Sequence, residues 1–140
     1  MRQGWSQVCV KVRLYTHAWL WYVNGNKDQY PDKWNQRIAT ADLVGISPVS
    51  CYEIALAEKR GRIKLNYPAA EWFSAALDAA GIELFPLTPN VAMRAVNLTP
   101  AHRDPFDRII IATPLEQDAW IATVDGVFTH YPELNGRILT

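Results

Sequence analysis

The sequence predicts a single α/β domain with a central, mostly parallel sheet flanked by helices. Three observations predict it. Short strand-like stretches alternate with helix-like ones along the chain, and strands separated by helices need crossover connections, which make sheets parallel. The helix-like stretches are punctuated by prolines where they start and glycines where they stop. The chain has 140 residues, of which 49% are hydrophobic, enough to bury one core without disulfides or structural metal.

Taken in order, Val8 to Leu14 (VCVKVRL) alternates apolar and polar residues, the period of a strand. Thr16 is placed to cap a helix over His17–Val23 that ends at Asn24-Gly25. Residues 32–43 carry Trp34, Ile38 and Leu43 at roughly helical spacing. Val44–Ser47 reads as a short buried strand, and Pro48 opens a helix over Ser50–Arg60 that Gly61 stops. Pro68–Ala80 is alanine-rich and followed by Gly81, which predicts a helix. Ile82–Leu87 reads as a strand and Pro89–Leu98 as a helix. Asp104-Pro105 opens a helix over Phe106–Asp118, in which Pro114 is expected to make a kink. Ala119–Thr123 is a strand, Asp125-Gly126 a turn, and the last residues a short final strand. No internal repeat, low-complexity tract or linker interrupts residues 1–140, so they are read as one domain.

Composition excludes several classes. Two cysteines, Cys9 and Cys51, make neither a disulfide framework nor a zinc site. No apolar run approaches the roughly 20 residues of a membrane helix. Lys11 and Arg13 interrupt the one stretch near the N-terminus that would resemble a secretory signal. A cytoplasmic, membrane-free setting is the expectation. The formal net charge is zero, which argues against a nucleic-acid coat protein. The charge is uneven, however: ten Lys/Arg and five Asp/Glu in residues 1–64, against four and nine in residues 65–140. A basic half that meets phosphates and an acidic half that holds metal would look like this, and so would an ordinary solvated surface.

Ligands of parallel α/β sheets sit at the carboxyl ends of the strands. Tyr15, Asp125 and the start of the helix carrying Asp107 fall there. Separated carboxylates that converge in space hold hard divalent cations through oxygen, and such an ion activates water for attack on phosphorus. Each acidic residue also has a plain structural role. Asp104 before Pro105 is a natural N-cap, and Asp107 three residues on favours the helix dipole. Asp125 before glycine suits a turn. Glu53 differs, because Val49, Tyr52 and Leu56 place it along a largely apolar face. A carboxylate there needs a partner, either a buried arginine or a functional cation. His17 and His102 are candidate contacts of lesser weight. Trp19, Trp72 and Trp120 are read as core residues rather than base-stacking platforms.

Four segments, in register, resemble the PIN domains of VapC-type toxins. They are LYTHAWLWYVNG at 14–25, ISPVSCYEIALAEKRGRIKL at 46–65, LTPNVAMRAVNLTPAHRDPFDRIIIAT at 87–113 and ATVDGVFTHYP at 122–132. The similarity spans about residues 10–138. It implies a PIN-like fold, with acidic residues gathered at one end of a parallel sheet. It further implies an endoribonuclease that uses Mg or Mn, forms a homodimer and is neutralised by a VapB-like antitoxin. By this resemblance Glu53, Asp107 and Asp125 are the catalytic and metal-holding carboxylates. Asp104, Arg108 and Thr123 are supporting residues, with Arg108 available to a carboxylate or phosphate. Tyr30 and Trp34 are read as contributors to the dimer.

The departures from the family carry as much information. Its first acidic ligand aligns with Tyr15, and a phenol that titrates near ~10 is a poor magnesium ligand at neutral pH. Weak metal binding and low or absent nuclease activity follow, leaving an impaired enzyme or a PIN-like module that binds an antitoxin or RNA without cutting. Two origins fit Tyr15: a natural loss, or a change selected because it disarms a toxic nuclease. Pro114 interrupts what is usually an unbroken helix, and the residues before Val10 exceed the usual family start. A phosphatase of the aspartate-nucleophile type would need a DxD motif after the first strand, and LYTH supplies none.

Overall fold

The computed structural model describes residues 10–100 and 104–139; Val8, Cys9 and His102 lie outside them. Five strands form one sheet: β1 (Lys11–Leu14), β2 (Leu43–Ile46), β3 (Glu83–Leu84), β4 (Trp120–Ala122) and β5 (Ile138–Leu139). Their order is β3-β2-β1-β4-β5, and every pairing is parallel. Helices α1 (Thr16–Asn24) and α2 (Lys33–Thr40) join β1 to β2. Helices α3 (Pro48–Lys59) and α4 (Ala69–Ser74, continued by a π-turn over Ala75–Ala79) join β2 to β3. Helices α5 (Pro89–Val96) and α6 (Pro105–Gln117) join β3 to β4. The winding direction reverses between β1 and β4, and in such sheets the crevice outside this reversal is where ligands bind.

The local signals explain most boundaries. Ser47, Thr88 and Asp104 cap α3, α5 and α6 through their side-chain oxygens, each followed by proline at the first helical position. Gly25 stops α1 in the left-handed region at φ 72°. Two expectations change. The N-cap of α1 is Tyr15 rather than Thr16, whose hydroxyl is engaged elsewhere. The strand expected over Ile82–Leu87 is confined to Glu83–Leu84.

Two apolar clusters cover the two faces of the sheet. One gathers Trp19, Trp34, Ile54 and Trp72 from α1 to α4 with Val12, Leu14 and Ile46 from the strands. The other gathers Val91, Ala95, Ile111 and Ala112 from α5 and α6 with Ile121, Phe128, Tyr131 and Leu134. Tyr15 packs against both. Tyr30 and Trp34 are 6% and 1% exposed and stack on each other with ring centroids 5.6 Å apart. They are spent on the core and are not free to form a dimer interface. Trp120 is not a core residue: it lies on β4 with 36% of its surface exposed. Helix α6 runs through Pro114 without interruption. No helix of the described residues is long and apolar enough to cross a membrane.

Candidate active site

The carboxyl end of the sheet brings the sequence-predicted residues to one region. Tyr15 follows β1 and is tied to β4 by its backbone N–H, which donates to the Ala122 carbonyl at 3.1 Å. Glu53 lies in the second turn of α3, directly after β2. Asp104 and Asp107 occupy the first turn of α6, and Thr123 and Asp125 follow β4. Asp104 is a capping residue: its carboxylate accepts from the Phe106 N–H at 2.9 Å. Thr123 supports the loop, its hydroxyl oxygen accepting from the Asp125 N–H at 3.1 Å. Asp125 is exposed and opens the 3-10 turn Gly126–His130.

Tyr15 stands at the centre of this arrangement. Its hydroxyl donates to Asp107 Oδ1 at 3.1 Å, and its ring meets Phe128 edge-on at 4.8 Å. Burial raises its titration point far above the usual tyrosine range, and the charges of Asp107, Glu53 and Asp125 add to the rise. The phenol is therefore neutral at any physiological pH. Glu53 accepts a hydrogen bond from the Thr16 hydroxyl at 2.5 Å, and Thr16 also meets Ser50 Oγ at 2.9 Å. A threonine hydroxyl thus fills the partner role for which an arginine was one candidate. Burial pushes the Glu53 carboxyl upward; the Thr16 hydrogen bond opposes this, and the nearby charges of Asp107 and Asp104 reinforce it.

Arg108, a candidate for a carboxylate or phosphate, acts on the Glu133 carboxylate and donates to a run of backbone carbonyls. Its Nε donates to Ala95 O at 3.0 Å, Nη1 to Thr99 O at 3.2 Å, and Nη2 to Val96 O and Leu98 O at 3.2 and 2.8 Å. These carbonyls belong to the end of α5 and the chain beyond it, so the guanidinium clasps that end. His17 is exposed beside Tyr15 and Trp21, with ring centroids 6.2 and 5.8 Å away.

Sequence reasoning missed Arg13. It is fully buried, and Nη1 donates to the Ile110 carbonyl on α6. Its Nε and Nη2 have no hydrogen-bond partner among the described residues. Burial pushes its titration point down to about 9, against the favourable influence of Tyr15 and Glu53. Arg13 and Tyr15 are two residues apart on one face of β1 and its extension, so their side chains reach α6 side by side. One meets Ile110, the other Asp107 one turn earlier.

The divalent ion that the family resemblance implies does not fit this arrangement. Among the described residues, no group of three or more His, Cys, Asp or Glu side chains is placed to hold a metal ion. Glu53, Asp107 and Asp125 all act on the Tyr15 phenol, but Asp107 already accepts a hydrogen bond from it, and a neutral hydroxyl is a poor ligand for a hard divalent ion.

A cavity of about 490 Å³ opens beside these residues. It is lined by the acidic residues Glu53 and Asp104, by Tyr15, Tyr52 and Phe106, by Arg60 and Arg62, and by apolar side chains of α1 and α3.

The PIN-domain family model matches residues 14–134. The chain is 30% identical to Ribonuclease VapC22 of Mycobacterium tuberculosis (strain ATCC 25618 / H37Rv) over 115 residues, 81% of this chain and 86% of that protein. Among solved structures it is similar to the crystal structure of VapBC2 from Rickettsia felis bound to a DNA fragment from their promoter. That match has a TM-score of 0.63 at 16% identity and covers 89% of this chain and 95% of the other. The chain belongs to the PIN-domain family and is of its VapC type.

Proposed function

We propose that this chain is the toxin member of a VapBC-type pair, an endoribonuclease by descent whose hydrolysis is impaired at Tyr15. The observation that carries the impairment is the hydrogen bond from the Tyr15 hydroxyl to Asp107. It places a neutral donor where the family has an acidic ligand and occupies an oxygen of the neighbouring carboxylate. Mg²⁺ or Mn²⁺ is accordingly held weakly here, and Glu53, Asp107 and Asp125 remain as the residues that an intact site would use. Thr16 fixes the Glu53 carboxylate, and Thr123 fixes the backbone of Asp125. The kinship with Ribonuclease VapC22 supports an RNA target, and the likeness to a VapBC complex supports a VapB-like antitoxin as partner; a cytoplasmic setting and a homodimer complete the reading. The same hydrogen bond favours a second reading, a PIN module that binds antitoxin or RNA without cutting.

The test compares the chain with Tyr15→Asp, purified identically, for Mn²⁺-dependent cleavage of a broad RNA panel, with Asp107→Ala as the control for contaminating nuclease. Cleavage by the aspartate variant alone is the expected result. Cleavage by the unaltered chain that Asp107→Ala abolishes would refute impairment. If neither cuts, the binding-only reading takes its place.

A further inference from the structure

We propose that the cavity beside Glu53 is a single-stranded RNA-binding groove, in which Arg60 and Arg62 hold phosphates and the Tyr52–Phe106 pair stacks a base. This rests on the reading of the chain as a VapC-type toxin, but it concerns binding, which does not require that the chain can cut.

The groove lies among α1, α3 and the start of α6, and the end of α3 supplies its basic residues. Lys59, Arg60, Arg62 and Lys64 are all exposed. Such a run is often only a solvated surface, so position must decide. Gly61, at φ 72°, takes the left-handed conformation that ends a helix. The Arg62 N–H folds back onto the Ala57 carbonyl at 2.9 Å. The turn thereby places Arg60 and Arg62 on the wall of the same cavity as Glu53 and Tyr15. Glu53 and Arg60 are two helical turns apart, about 10 Å along α3, short enough for one strand to pass both.

The rim supplies the second observation. Tyr52 is 54% and Phe106 38% exposed, yet their rings meet edge-on with centroids 5.3 Å apart. Two large rings left in water beside a basic wall suit a ligand that carries both anionic groups and flat apolar faces. Unpaired nucleotides do: bases stack on aromatic side chains in a sequence-tolerant way while cations track the backbone. Glu53 and Asp104 line the same cavity and repel phosphate, which leaves Arg60 and Arg62 as the anchors for the backbone. In a duplex the base faces are already stacked and cannot reach the rings.

Fluorescence anisotropy of a fluorescein-labelled, mixed-sequence single-stranded RNA tests this, with the full chain in EDTA so that cleavage plays no part. The variants are Arg60→Glu/Arg62→Glu, Tyr52→Ala, and Lys27→Glu/Lys33→Glu as a control of equal charge change on other exposed residues, each checked for native melting. We expect the arginine pair to weaken binding at least tenfold and to reduce the slope of log K against log salt by about 1.4, from two phosphate contacts on a single strand. Tyr52→Ala should weaken it at least fivefold, and a duplex of the same sequence should bind more weakly than the single strand. Equal affinities for the arginine and lysine variants, no binding by the unaltered chain, or a preference for duplex would each overturn the proposal. So would a result in which the arginine variant keeps its RNA affinity but loses a co-expressed antitoxin, which would make the groove a protein-docking face. The two readings fail separately. If Tyr15→Asp cuts RNA while the arginine variant binds normally, the groove falls and the toxin stands. If the groove binds RNA and Tyr15→Asp never cuts, the nuclease falls and the groove stands.

Discussion

Pro114 has no amide hydrogen, and the carbonyl that such a hydrogen would meet four residues earlier belongs to Ile110. Ile110 is fully buried, so its carbonyl cannot turn to water. Arg13 Nη1 donates to it from β1. The two residues that look most out of place, an arginine in a buried strand and a proline inside a helix, thus answer each other. The arrangement is costly, because Arg13 Nε and Nη2 have no hydrogen-bond partner among the described residues and an incompletely paired buried charge is destabilising. A double-mutant cycle in urea separates these effects. Without Pro114 the Ile110 carbonyl regains a helical N–H, and Arg13 has nothing left to satisfy. Arg13→Leu should therefore be more favourable in the Pro114→Ala background than in the unaltered chain by about 1–3 kcal/mol, the cost of a bare buried acceptor. The double variant should be the most stable of the four. Additivity within about 0.5 kcal/mol would show that the two positions are independent.

At the scale of elements, what could be read from the sequence was what is written locally. Proline after a capping side chain marks the starts of α3, α5 and α6, and the acidic cluster follows because carboxyl ends of strands and amino ends of helices share one edge of a parallel sheet. What escaped depends on partners distant in sequence. The alternation of Val12 and Leu14 with Lys11 and Arg13 marks a strand but does not say what covers its polar side; a parallel sheet is covered on both sides, and Arg13 is buried against α6. Thr16 passed as a cap because nothing local says that Glu53 lies across from it. Arg108 suggested a contact to a carboxylate or phosphate, and nothing local says that its guanidinium also clasps the carbonyls that close α5. Gly45 gives this dependence a test. It lies on β2 between β1 and β3, and a Cβ there would overlap the Phe85 ring. Gly45→Ala should cost about 1–3 kcal/mol in urea denaturation, as overpacking does, and distinctly less in a Phe85→Leu background. An equal cost in both backgrounds would place the strain elsewhere.

At the scale of the whole molecule, Tyr15 belongs to the fold as much as to the site. It is the residue that packs against the apolar clusters on both faces of the sheet, and it ties β1 to β4 where the winding reverses. An aspartate there would return a ligand to the acidic end but leave a charge and a gap where a ring joins two cores. Activity and stability are then in opposition at one position. In EDTA, Tyr15→Asp should lose about 2–3 kcal/mol from lost burial and ring contact, a fall in melting temperature of roughly 5–10 °C for a domain of this size. Excess Mn²⁺ should restore much of it, since a ligand at a hundred times its dissociation constant stabilises by about 2.7 kcal/mol. The unaltered chain, whose carboxylate is already bonded to the phenol, should melt at the same temperature with or without the ion. Differential scanning calorimetry reads all four conditions. If Mn²⁺ raised both proteins equally, the phenol would not be what weakens ion binding. If Tyr15→Asp melted with the unaltered chain in EDTA, the ring would not be joining the two cores, and the change from acid to tyrosine would carry no gain in stability.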